Sequence, residues 1–64
     1  MKFKVGDVIN HKKVGGTSVM CIDIQDERSL FLRMDVDHKF FMDNNWVDEQ
    51  FELDKYYIWN NEIK

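Results

Sequence analysis

From Val19 onward, apolar side chains recur at every second position. Met20, Ile22 and Ile24 alternate with Val19, Cys21 and Asp23, and Leu30, Leu32, Met34 and Val36 alternate with Phe31, Arg33 and Asp35. A period of two is that of strands with one buried face. It predicts that the even-numbered side chains from Met20 to Met42 line a shared interior. Gln25 to Ser29 reads as a polar hairpin loop, and Asp37-His38-Lys39 as a turn, after which Phe40 and Met42 keep the same parity against Phe41 and Asp43. Three successive antiparallel strands follow.

The flanks complete the pattern. Phe3 to His11 is a first strand interrupted at Gly6-Asp7, with Val5, Val8 and Ile9 toward the core, and Val14-Gly15-Gly16-Thr17 is a second permissive turn. Asn44-Asn45 breaks the third strand of the meander. The segment Trp46 to Gln50 is short and polar, which predicts a single 3-10 turn rather than a helix, and Phe51-Glu52-Leu53 makes a short fifth strand. Five short strands are enough for a small closed barrel, which removes exposed sheet edges. Residues 1–53 are thus expected to form the barrel. Residues 54–64, with Tyr56, Tyr57, Ile58 and Trp59, are expected to be an aromatic tail that caps it, adds a sixth strand or forms an interaction patch.

The opening Phe3-Lys4-Val5-Gly6-Asp7-Val8-Ile9, then Lys13 and Gly15-Gly16, and later Trp46-Val47-Asp48-Glu49-Gln50-Phe51-Glu52-Leu53, resembles a loose group of short bacterial and prophage proteins. These open with a Lys-x-Gly-Asp-x-Ile-like strand and close with a Val-Asp-x-x-Phe-Glu-Leu-like strand. The resemblance spans residues 2 to 53 and implies an all-β, five- to six-stranded SH3-like barrel. It supplies no catalytic residues, and the aromatic tail departs from the shorter members. The absence of Ala and Pro beside abundant Asn, Asp, Lys and Ile matches the usage of low-GC bacteria and their phages.

Size and charge narrow the picture further. A chain of 64 residues forms one domain that buries roughly 60% of the surface its unfolded chain exposes. Cys21 is the only cysteine, so no internal disulfide staples it, and a reducing cytoplasm is the expected compartment. The start Met-Lys-Phe-Lys leads into Val-Gly-Asp rather than a long apolar run, so neither a signal peptide nor a membrane span is expected. The net charge of −3 is unevenly spread: four lysines against Asp7 give residues 1–22 a charge of +3, ten carboxylates against three cations give residues 23–54 a charge of −7, and the last ten residues carry +1.

Candidate chemistry is sparse. Asp35, Asp37 and His38 lie close enough in sequence to suggest a divalent metal, but no further ligands at an established spacing accompany them, so no metal or other cofactor is expected. Cys21 with His11 or His38 is the one nucleophile and base pairing, yet a lone cysteine among Val, Met and Ile reads as a packing residue. Paired carboxylates need an apolar pocket to split their roles, and so small a barrel has little interior to spare. An enzyme is not expected.

Two binding readings remain, with self-assembly as a third. The acidic residues Asp35, Asp37, Asp43, Asp48 and Glu49, with Trp46, Tyr56, Tyr57 and Trp59 as aromatic anchors, suit a protein partner with a basic surface. Such a module would be a phage or mobile-element inhibitor whose acidic face blocks a host nucleic-acid enzyme, for example a defence nuclease. Alternatively Lys2, Lys4, His11, Lys12 and Lys13 form a phosphate-binding patch beside aromatic residues such as Phe31, Phe41 or Trp59 that stack bases. In the third reading Tyr56 to Trp59 pack against a second copy, making a homodimer or larger assembly.

Overall fold

The computed structural model describes residues 1–14 and 18–54. The chain turns first at Lys4 to Asp7, where the Asp7 amide donates to the Lys4 carbonyl and the Asp7 carboxylate accepts from the Lys4 amide. Gly6 has a φ of 96° in this turn, a region that a Cβ disfavours. Five strands and one helix follow: β1 (Val8–His11), β2 (Val19–Asp23), β3 (Arg28–Arg33), β4 (His38–Asp43), α1 (Asn44–Gln50) and β5 (Phe51–Leu53). All pairings are antiparallel, in one sheet of order β4-β3-β2-β1-β5. The protein is therefore mostly β, as its alternation predicts. Among the described residues no pairing joins β4 to β5, so the sheet is open where a barrel would close.

The predicted parity is reversed in β2 and β3 and holds in β4, where Phe40 and Met42 pack on the core as expected. Val19, Cys21 and Phe31 are buried in a cluster with Phe3, Ile9, Val47 and Phe51, and Met1, Phe40 and Met42 pack around it. Directly opposed residues of an antiparallel pair share a face. Ile9↔Val19, Cys21↔Phe31 and Phe31↔Phe40 place the core on the odd side of β2 and β3, and on the even side of β4. Met20, Leu30 and Leu32 belong to the other face and are half-buried. Hydrophobic alternation alone does not choose between two apolar faces. The choice is made by Phe3, Val47 and Phe51, which cover only one of them.

Local boundaries differ for physical reasons as well. β3 ends at Arg33, and Met34 to Asp37 form the turn, leaving Met34 and Val36 exposed instead of in the core. Asp37 supplies the turn's φ of 52°, a left-handed conformation that Asp tolerates better than most residues. Val5 is exposed and Phe3 takes its expected place in the core. A register shift between Cys21 and Asp23 puts a bulge at the end of β2.

The expected 3-10 turn is an α-helix of seven residues. Asp43 is its N-cap, with a carboxylate oxygen accepting from the Trp46 amide at 3.0 Å. So short a helix has little intrinsic stability. Two anchors hold it: Val47 is fully buried in the core, and Asn44 is buried in a polar network. In that network the Ser29 hydroxyl donates to Asn44 Oδ1 at 2.6 Å, Asn44 Nδ2 donates to the Gln25 and Asp26 carbonyls, and the Asn44 amide donates to the Glu27 carbonyl. The Asn-Asn pair that reads as a strand breaker thus fastens the β2–β3 loop to the start of α1.

Asp54 continues the β5 pairing, its amide donating to the Val8 carbonyl at 2.8 Å. The aromatic tail expected from Tyr56 to Trp59 lies outside the described residues. Among the described residues, no helix is long and apolar enough to cross a membrane.

Candidate protein-docking site

At one end of the sheet, β1, α1 and β5 meet in an aromatic ledge. His11 opposes Phe51 in register, which sets the two rings edge to face at 5.4 Å between centroids. Trp46 projects from α1 onto the same pair, 5.3 Å from Phe51 and tilted 6.2 Å from His11. Phe51 is buried beneath, whereas Trp46 remains 45% exposed. Hydrogen bonds tie the described backbone beside the ledge. The Lys12 amide donates to the Gln50 carbonyl at 2.9 Å, joining the β1 exit to the end of α1. His11 Nδ1 accepts from the Lys13 and Val14 amides, both at 3.1 Å, which orients the ring. The result is an exposed indole face seated on His11 and Phe51.

The acidic candidates do not form one face. Asp35 and Asp37 lie in the β3–β4 turn, where Asp35 is bonded to Arg33 at 2.9 Å. Asp43, Asp48 and Glu49 lie at the other end of that hairpin, about 20 Å away for strands of this length. Within the second group, Asp43 is occupied as the helix cap. Asp48 accepts from the Lys2 amide at 2.9 Å and lies 3.5 Å from the N-terminal ammonium, so it ties the start of the chain to α1. Glu49 is exposed on α1 beside the ledge.

The basic candidates are likewise divided. Lys12 and Lys13 are exposed in the turn that leaves β1, next to His11. Lys2 and Lys4 instead line a shallow groove of about 380 Å³ with Phe3, Asp7, Glu52 and Leu53, and the Lys2 ammonium sits 5.5 Å from the Phe3 ring centroid. Carboxylates therefore accompany the second pair. Phe31, expected to stack on bases, is fully buried in the core and unavailable for that role. Phe41 is 46% exposed but carries the Arg28 guanidinium 4.7 Å over its ring.

Cys21 is fully buried. Desolvation, the nearby Asp7 charge and, more weakly, Asp23 push its thiol up from the ordinary range, against a smaller downward effect of a backbone hydrogen bond. A protonated, inaccessible thiol is a packing group rather than a nucleophile. Among the described residues no three His, Cys, Asp or Glu side chains gather into a metal-binding group; His38, beside Asp37, stacks on Phe40 at 5.9 Å. Sequence reasoning missed Phe51 as the floor of the ledge: it follows directly on α1, and its place opposite His11 is set by pairing that no local pattern records. The chain matches no family model, no curated protein and no solved structure.

Proposed function

We propose that this chain is a non-catalytic protein-binding module of SH3-like arrangement that docks its partner on the Trp46 ledge. The strand order, with a short helix inserted before the last strand, supports the SH3-like reading. The observation that carries the function is the half-exposed Trp46, held on Phe51 and His11 by a capped helix. Binding energy at protein interfaces concentrates on such pre-ordered Trp residues.

Charge specifies the partner. On the helix side of the ledge Glu49 is exposed, whereas Asp48 lies against the N-terminal ammonium and Asp43 caps the helix, and the chain carries −3 in all. A partner with basic residues facing α1 complements it, and an Arg or Lys reaching over Trp46 gains cation–π attraction. A host nucleic-acid enzyme with a basic groove, such as a defence nuclease, is a partner of this chemistry. Nucleic acid itself fits less well, because the lysines fall into two pairs and one of them shares its groove with Asp7 and Glu52.

The test is capture of partners from host lysate by the wild-type chain and by Trp46→Ala. Loss of a Trp anchor costs about 2 kcal/mol or more, roughly a 30-fold drop in affinity, measured at a temperature where circular dichroism shows the variant folded. Equal capture by both chains contradicts the reading. A retarded band with RNA or DNA at physiological salt, abolished by Lys12→Glu with Lys13→Glu, overturns it in favour of nucleic-acid binding.

A further inference from the structure

The middle of the sheet's outer face, opposite the core, is apolar where an open antiparallel sheet is ordinarily polar, with Asn10, Asp23, Arg28, Lys39 and Glu52 around it. Val8, Met20 and Leu32 are in register across β1, β2 and β3, with Leu30 beside them opposite Phe41. Val8 is only 1% exposed although it stands outside the core cluster, and Met20, Leu30 and Leu32 are half-buried. The chain is also delivered to this face. Asp54 pairs with Val8, and its carboxylate is bonded to the Ser18 hydroxyl across β1. Both side chains are therefore on the outer side.

We propose that the C-terminal segment, residues 55–64, is the occupant of this outer face and straps it within the same chain. Its length is sufficient: ten residues reach up to about 33 Å when extended, whereas β1 to β4 span about 14 Å at the ordinary strand spacing. Its composition is complementary, since Tyr56, Tyr57, Ile58 and Trp59 follow directly after Asp54 and Lys55. From Asp54 the segment is long enough for its aromatic side chains to reach Met20, Leu32 and Leu30. The strap assigns the tail's aromatics to the fold, and leaves the Trp46 ledge as the face that meets a partner. A second copy of the chain could cover the same residues only at a concentration that a tethered segment does not need.

The test uses the full chain at a concentration where sedimentation shows a monomer. Nuclear Overhauser contacts are expected from the Tyr56, Tyr57 and Trp59 rings to the methyls of Val8, Met20 and Leu32. In Leu32→Glu, trypsin is expected to cleave after Lys55 at least tenfold faster than in wild type, while the Val47 and Ile9 methyl resonances stay in place. Contacts to Trp46 or Val47 instead, contacts seen only between differently labelled chains, or no contacts at all would each overturn the strap. If Leu32→Glu fails to fold, the wild-type contacts decide alone.

Discussion

Two faces of the β2–β3–β4 meander compete for the role of core. On the inner one, Val19, Cys21, Ser29 and Phe31 are buried under Phe3, Val47 and Phe51. On the outer one, Met20, Leu30 and Leu32 are larger on average than Val19, Cys21 and Ser29, yet they are only half-buried. The difference is not in hydrophobicity but in what lies above. A face becomes the core when a distant segment is registered onto it, and here β5 pairs with β1 so that Phe51 stands opposite His11 on the inner side.

The sharpest way to break this comparison is to truncate one residue on each face. Phe31→Ala is expected to cost about 3–5 kcal/mol, close to the whole stability that a core of this size supplies, so the variant should be largely unfolded in water by circular dichroism. Leu32→Ala, one residue on, is expected to cost about 1–2 kcal/mol, in line with partial burial, and to unfold cooperatively at a lower urea concentration.

The polar lock between the faces comes next. Asn44→Ala removes the partner of the buried Ser29 hydroxyl and of the Gln25 carbonyl. A loss of about 1–3 kcal/mol is expected, with faster amide exchange in residues 24–28. Smaller again, Asp43→Ala removes the helix cap and should cost about 1 kcal/mol, read as a shift in urea midpoint with Trp46 fluorescence as probe.

The strand content was legible from the sequence because period two is a local property, and β2 to β5 each overlap a run that shows it, whereas β1, Val-Ile-Asn-His, was read from its flanking turns. What local pattern could not show is which parity faces inward, since Met20, Leu30 and Leu32 alternate as cleanly as any core would. The α-helix was hidden for a similar reason. Asn44 and Asn45 look like breakers until Asp43 caps them and Asn44 finds Ser29, fifteen residues earlier in the chain. Of the candidate site, Trp46 and His11 were visible as residue types, but their meeting over Phe51 depends on β1–β5 pairing. The acidic face failed as a unit because a hairpin separates Asp35 and Asp37 from Asp43, Asp48 and Glu49.

The mildest effect is on pH dependence. The folded Cys21 thiol has a raised pKa, chiefly from burial. Its stabilising contribution is therefore complete below the unfolded thiol value, about 8.5, and is lost as pH rises toward the folded value. Melting temperatures of wild type are expected to fall more steeply above about pH 8.5 than those of Cys21→Ala.

Cys21 also offers the most direct test of the inverted core, because the two parities disagree at this residue and the chain has no other thiol. Reaction of the native protein with a chromogenic disulfide reagent is predicted to be negligible on the minute timescale and to become complete in denaturing urea. Stoichiometric modification of the folded chain within the mixing time would place Cys21 on the outside and contradict the account.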